Sequence, residues 1–549
     1  MTTPDRAASP PSRLLRAFDA LNTRVMKLPP GAPYTVTRAV PISMRDGARL
    51  LADVYTPTGN VRGTLLLRNP YGRSDLLAAT FATAFAARRY RVVLQSTRGT
   101  FGSGGGPFEP MAREVEDGAD TVAWLREQPW FDGTFATLGA SYLGFTQWAL
   151  LMDPPPELKT AVIQIGVHDV YHSAHGAGAF RLDLLLSWFD SVSRQERGTL
   201  GLLIDRVTAK RRLDPAFDAL PLLPAGEHHL GGGPFAASYA NFLTRTNAND
   251  PYWKSRRLGE ALERVRVPVL LIGGWQDIFL DQTLTQYARL HERGVDVALT
   301  VGPWAHGEGN DVMTRESLEW FDEHLGGKAR RRAAPVRVFV TGAKTWRDLP
   351  AWPPPTRPST LYLHPGGALS ADPPPATAAP STFTYDPATP TPTIGGQLLT
   401  NGGYRDVRAL SARADVLTFT SLELTEPLEV AGVPEVELAH HSDNPHADVF
   451  VRLVEVDARG GSRNVSDGFR RLSDADRTSS VRVALDAVAH RFAAGTRVRV
   501  LISGGSHPQY ARNLGTGLDP ALSARMAVSH RIVAHGEGGV SSLILPVTS

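Results

Sequence analysis

The sequence predicts an α/β protein: a mostly parallel sheet covered by helices on both faces, interrupted by an inserted helical segment and followed by a separate all-β domain. Three observations predict it. Over residues 63–165 short apolar runs alternate with helix-like segments, the rhythm of βαβ units. That rhythm lapses after the run at 161–165 and returns at 267–325. Beyond Gly327, prolines at 353–355, 358 and 373–375 punctuate short alternating strands, and helix-like segments nearly vanish. A length of 549 residues suits two or three such domains.

Taken in order, residues 1–30 read as a tail with a short amphipathic helix over 14–25. The first α/β part spans 31–153. It opens with strands at 34–42 and 49–55 joined through Asp46-Gly47, a strong hairpin signal. A strand at 64–67 leads into Arg68-Asn69-Pro70-Tyr71-Gly72, and Ser74 is placed to cap a helix over 76–89. The strand 91–94 is followed by a glycine-rich loop at 98–106 and a helix at 114–127. That loop lacks the G-x-x-x-x-G-K-[ST] pattern, so it reads as a loop at the sheet edge and not as a phosphate cradle. Residues 154–257 form the insertion, with helices at 179–192 and 200–212 and breaks at 221–224 and 231–234, the natural place for a cap over a site. The second α/β part, 258–330, carries strands at 267–272 and 295–301 and helices at 282–293 and 315–325. Residues 331–549 contain strands at 336–340, 360–363, 416–420, 434–439, 448–456, 481–485 and 497–502, a sandwich or jelly-roll pattern.

The stretch from Phe135 to Gly144 reads as a buried strand, an abrupt turn at Ser141 and a helix starting near Tyr142. Small residues around Ser141 allow the bend and leave the hydroxyl outside the core, as in a nucleophile elbow. A helix start capped by serine is the plainer alternative. A serine nucleophile needs a base, a group to orient that base and donors for an oxyanion. Asp277 follows one late strand and His306 the next. The order Ser141, Asp277, His306 is that of α/β-hydrolases, and all three fall where strands end. Singly, Asp277 reads equally as a helix cap and His306 as a loop histidine. The Tyr142 amide, at the new helix start, is one oxyanion donor. Tyr71 sits in the loop that usually supplies the second, where it either donates its hydroxyl or packs beside Pro70.

Composition excludes several other classes. There are no cysteines, hence no disulfides, zinc thiolates or thiol nucleophile. The 58 basic residues barely exceed the 55 acidic ones, and the basic run 328–332 sits at a helix end before a Pro-rich segment, so no nucleic-acid surface is expected. Residues 1–27 carry charges throughout, and no window is long and apolar enough to span a bilayer. A soluble, cytoplasmic protein without membrane partners is the expectation, with self-association as a homo-oligomer left open. His440-His441 and the pair His172 and His175 lack a carboxylate at ligand spacing, so neither metal nor cofactor is expected.

Arg68-Asn69-Pro70-Tyr71-Gly72-Arg73, the Arg98-Gly99 loop, Gly139-Ala140-Ser141-Tyr142-Leu143-Gly144, Gly274-Trp275-Gln276-Asp277-Ile278-Phe279 and Gly302-Pro303-Trp304-Ala305-His306 together resemble the CocE/NonD hydrolases, relatives of the X-Pro dipeptidyl-peptidases. The likeness continues through Leu417–Ser421, Leu428–Gly432, Asn464–Gly468, Ala489–Arg497 and Asn513–Gly517. It implies an α/β-hydrolase domain with an inserted helical cap and a C-terminal jelly roll. It also implies Ser141, Asp277 and His306 as nucleophile, acid and base, Tyr71 beside the Tyr142 amide as oxyanion donors, and Phe279 and Trp188 as substrate contacts. Its elbow, Gly-x-Ser-Tyr-x-Gly, places the second glycine late, as Gly144 stands here. Ser96 departs from the family's Asp-x-Arg-Gly, which puts the ion pair of that aspartate in doubt. The implied activity is ester hydrolysis through an acyl-enzyme on a small-molecule ester or amide. The alternative is an X-Pro dipeptidyl-peptidase or amide acylase on the same triad, with Asp183, Asp190 or Glu196 of the cap holding a substrate ammonium. A third reading, a non-catalytic ligand-binding module, leaves the triad without a use.

Overall fold

The computed structural model describes residues 8–74, 81–472 and 480–548. Ten strands make the first sheet: β1 (Tyr34–Ser43), β2 (Arg49–Pro57), β3 (Gly63–Asn69), β4 (Tyr90–Ser96), β5 (Phe135–Ala140), β6 (Leu158–Gln164), β7 (Val269–Gln276), β8 (Val297–Ala305), β9 (Val336–Val340) and β10 (Thr345–Leu349). Their spatial order is β1-β2-β4-β3-β5-β6-β7-β8-β9-β10. Pairing is antiparallel from β1 through β2 to β4, parallel from β4 through β9, and antiparallel again at β10. The hairpin at Asp46-Gly47 forms as expected, with Gly47 at φ +83°.

The central strands are buried on both sides because successive side chains point to opposite faces and both faces are covered. Leu66, Ile163 and Leu271 face a core with the elbow helix Tyr142–Leu150 and the inserted helices. Leu65, Leu67, Leu270 and Ile272 face the other side, against Phe85, Trp320 and Phe321. The first residues of the helix read over 76–89 lie outside those described; within the described residues Thr83–Ala86 is helical.

Between β6 and β7 the chain builds helices Val170–His175, Leu182–Arg194, Gly198–Asp218, Leu222–His229, Gly233–Thr244 and Ala261–Arg264, with a 3₁₀ segment at Pro251–Arg256. The prolines and glycines at 221–224 and 231–234, read as breaks, fall where one helix gives way to the next, and they also begin the next helix. Pro221 precedes the first residue of one helix and Pro234 lies in the first turn of the next. Proline suits a first turn because the amide it lacks has no partner there.

Beyond β10 lies an all-β domain with, among the described residues, one eleven-stranded and one three-stranded sheet. Its pairings are almost all antiparallel and join distant segments, such as Val416–Ser421 with Arg497–Ser503. Its own core contains Leu363, Phe419, Val451, Val500 and Leu543. The strand at 336–340, read as the start of this domain, is β9 and continues the first sheet beside β8. A five-residue apolar run carries no signal for which of two sheets completes it.

The two domains meet beside the Asp277 loop. Gln276 donates to the Val465 carbonyl at 3.1 Å, and Asn464 donates to Gln276 Oε1 at 3.1 Å.

Candidate active site

Ser141 follows β5 at φ 58° and ψ −120°, a conformation that L-residues adopt only at a cost of order 1–3 kcal/mol. The surrounding packing holds it there. A Cβ on Gly139 would lie 2.2 Å from the Leu143 Cβ, and one on Gly144 would lie 2.6 Å from the Gly166 Cα. Gly144 therefore serves the close approach of helix to the segment after β6, not the turn itself.

His306 stands just past β8 and Asp277 just past β7, neighbours in the sheet. His306 Nε2 lies 3.0 Å from Ser141 Oγ, and His306 Nδ1 lies 2.7 Å from Asp277 Oδ2. The other carboxylate oxygen of Asp277, a fully buried residue, accepts from the Phe279 amide at 2.8 Å. The His306 loop is seated by Trp304: Cβ atoms on Gly274, Gly302 or Gly309 would each enter its ring. Phe279 packs edge-on against the His306 ring at 5.4 Å.

Tyr71 also reaches this point. Its hydroxyl accepts from the Trp188 indole at 3.3 Å. Burial raises the phenol pKa, and hydrogen bonds with Trp188 and Ser141 oppose that rise. The Tyr142 amide opens the elbow helix, where an N–H has no intrahelical acceptor. The Tyr142 ring stacks on Trp188 at 6.2 Å and 15°, and its hydroxyl donates to Glu114 Oε1 and accepts from the Met111 amide, both at 2.8 Å. Glu114 in turn pairs with Arg68 at 2.8 Å, both side chains buried. Burial first, and then the nearby Glu114, raise the Tyr142 phenol well above its ordinary pKa, so it stays protonated.

A cavity of about 470 Å³ opens over Ser141. Tyr71, Trp188, Phe279, Ile278, Leu184 and Phe242 give it an apolar wall, and Leu399 and Thr400 close it from the β domain. Among the described residues its lining contains no Asp, Glu, Lys or Arg. Leu399 and Thr400 have no signal in the sequence that marks them as lining residues. They lie in an irregular segment of ordinary composition, and only the packing of the β domain brings them to the serine.

The cap acids are engaged elsewhere. Asp190 accepts from Arg194 at 2.9 Å, Arg212 at 2.7 Å and His229 at 3.0 Å. Glu196 accepts from the Phe101 amide at 2.8 Å. Asp183, 2% exposed, accepts from the Leu399 amide at 2.7 Å and the Thr400 hydroxyl at 3.1 Å. Burial pushes Asp183 up to about 6 despite those bonds. The folded state thus binds a proton that the unfolded chain has released between about pH 4 and 6. Stability falls as pH rises through that window, and at pH 7 the ionised side chain costs about 2–3 kcal/mol. Asp183→Asn keeps an acceptor for Leu399 without the charge. We expect it to raise the melting temperature at pH 7 and to lose most of that advantage at pH 4.5, measured by calorimetry at both values.

Ser96, which departs from the family pattern, is bonded by an arginine. Arg73 donates to the Ser96 hydroxyl and pairs with Asp53 at 3.2 Å, a carboxylate from β2. Arg98 of the glycine-rich loop pairs with Asp117 at 2.6 Å and Asp46 at 2.7 Å. His172 pairs with Asp281 at 2.6 Å and His175 lies 2.7 Å from the Phe242 carbonyl. Among the described residues no group of three or more metal-ligating side chains converges, and no helix is long and apolar enough to cross a membrane.

A serine on a sharp strand-to-helix turn, with an imidazole and a carboxylate from the next strand ends, defines the class of α/β serine hydrolases. Residues 46–308 match the model of the X-Pro dipeptidyl-peptidase (S15) family, and residues 328–544 match that of the X-Pro dipeptidyl-peptidase C-terminal non-catalytic domain. The cocaine esterase of Rhodococcus sp. (strain MB1 Bresler) is 30% identical over 575 aligned positions, covering 94% of this chain and 99% of that protein. Two solved structures share the fold at a TM-score of 0.79, each covering 94% of this chain and 97% of its own. They are an α-amino acid ester hydrolase, 24% identical, and an aminopeptidase from a marine sediment archaeon, Thaumarchaeota archaeon, 23% identical. The chain belongs to the CocE/NonD family of hydrolases and is a serine hydrolase.

Proposed function

We propose that the protein is a carboxylesterase for neutral, apolar acyl groups, with Ser141 as nucleophile, His306 as general base and Asp277 as the group that orients His306. The observation that carries this reading is the hydrogen-bonded line from Ser141 through His306 to Asp277, set in a cavity with no acid or base among its described lining residues beyond His306 and two tyrosines. His306 takes the Ser141 proton as the hydroxyl attacks the carbonyl carbon. Asp277 stabilises the imidazolium that results. The Tyr142 amide and the Tyr71 hydroxyl receive the charge on the oxyanion. Collapse expels the alcohol, protonated by His306, and water activated by the same histidine releases the acid. Phe279 and Trp188 form part of the wall against which the acyl group packs.

The peptidase reading requires a carboxylate for a substrate ammonium, because burying an unpaired charge is strongly unfavourable. Asp183, Asp190 and Glu196 do not line the cavity, and each already binds partners of its own. An amide acylase with a neutral acyl group fits the same cavity, but amides are the harder substrates. The distant antiparallel pairings of the β domain support a jelly-roll path. That domain serves to wall the pocket and not as a separate binding module. A cytoplasmic location completes the proposal and is checked by fractionation. The deciding experiment compares 4-nitrophenyl butyrate with Ala-Pro 4-nitroanilide at equal enzyme concentration. We expect turnover of the ester and little of the anilide. Preference for the anilide would reverse the assignment.

A further inference from the structure

The cap helix Leu182–Arg194 does more than roof the pocket. Leu184, Trp188 and Ser191 recur at helical spacing on the face that lines the cavity, and Gln195 continues that stripe as the residue capping the helix. Two members of the stripe bind the Tyr71 loop. The Trp188 indole donates to the Tyr71 hydroxyl at 3.3 Å, and the Gln195 amide donates to the carbonyl of Pro70, the preceding residue, at 2.9 Å. The other side of the loop is held by the α/β domain. The Tyr71 amide donates to Asn69 Oδ1 at 2.8 Å, and Gly72, at φ +91°, lies so close to Phe101 that a Cβ would come within 2.7 Å of its ring. Backbone position is thus set from both sides, and phenol orientation from above.

The donor type matters. A phenol has one proton to give and lone pairs to receive. Indole N–H only donates, so the contact with Trp188 occupies a lone pair of Tyr71 and denies the cap side to the phenol proton. That proton is left to face Ser141, where an oxyanion would form. An acceptor in the place of Trp188 would draw the proton away.

We propose that Trp188 and Gln195 are positioning residues for the oxyanion donor: the cap completes the oxyanion hole by orienting Tyr71. This rests on the reading of Tyr71 as that donor. The test is a double-mutant cycle on 4-nitrophenyl butyrate, with the acylation rate constant and its saturation constant resolved by stopped flow. Trp188→Phe keeps an aromatic ring and deletes the donor. It should lower the acylation rate constant about two- to tenfold, the span of one neutral hydrogen bond, and leave the saturation constant within twofold. In the Tyr71→Phe background the same substitution should have no further effect. Equal losses in both backgrounds, or a change confined to the saturation constant, would reduce Trp188 to a pocket wall and overturn the inference. A Tyr71→Phe enzyme as fast as wild type would instead remove the oxyanion reading itself. Gln195→Leu, carried through the same cycle, gives an independent reading should Trp188→Phe fold poorly, with the same pattern expected.

Discussion

Ser141→Ala abolishes ester turnover and leaves the chain unlabelled by a fluorophosphonate. The reason is geometric as well as chemical. Ser141 Oγ, at 3.0 Å, is the hydroxyl placed to lose its proton to His306 Nε2, and that imidazole is fixed by Asp277. With the hydroxyl gone, the base has no nucleophile to activate, and the remaining donors only bind substrate. Removing a nucleophile of this kind lowers kcat about 10⁶-fold, and removing its base as well adds little, because the members act as one unit. The measurement is a burst assay together with fluorophosphonate labelling followed by peptide mapping. Labelling at a different serine in Ser141→Ala would defeat the assignment. Alanine fits the elbow sterically, but it inherits the positive φ of Ser141, so circular dichroism should accompany the assay.

Asp277→Asn should cost about 10⁴-fold in kcat while leaving the fold intact. Two donors converge on this carboxylate, the His306 ring nitrogen at 2.7 Å and the Phe279 amide at 2.8 Å. Asparagine offers one acceptor oxygen where aspartate offers two. If that oxygen meets the Phe279 amide, the NH₂ group faces His306 Nδ1 and forces it to accept. The ring proton then sits on Nε2, which can no longer take the Ser141 proton. If the amide turns the other way, the Phe279 N–H is left opposite a donor in a fully buried site. Either arrangement disables the base without removing bulk. Steady-state kinetics across pH would check this, and a loss of less than about tenfold would show that Asp277 does not set the tautomer of His306.

Much of the site was legible along the chain because its parts are tied to strand ends. A strand that must cross a covered sheet is an unbroken apolar run, and the residue after it emerges at the carboxyl edge. That logic found Ser141, Asp277 and His306 although up to 165 positions separate them. The glycine-bearing motifs were legible for a related reason: Gly274 and Gly302 leave room for one tryptophan, which leaves a recurrent local pattern.

Other features had no local signature. Arg73 joins Ser96 to Asp53, but nothing near either residue announces it. The cap acids looked alike as candidates for an ammonium site. Only their partners separate Asp190, tied to Arg194 and Arg212, from Asp183, tied to the β domain. The same residues mark helix breaks and helix starts, so the sequence shows the interruptions near Pro221 and Pro234 but not that new helices begin at once.

By itself, then, the sequence determined the succession of layers, the elbow and the identities and order of the three side chains that meet there. Those follow from periodicity and turn chemistry, which act over a few residues. Tertiary structure decided what surrounds them: the wall from Leu399 and Thr400, the absence of a carboxylate among the described lining residues, the extension of the first sheet by β9 and β10, and the hold of the cap on Tyr71. Each depends on which distant surfaces bury one another, and burial is a property of the assembled molecule.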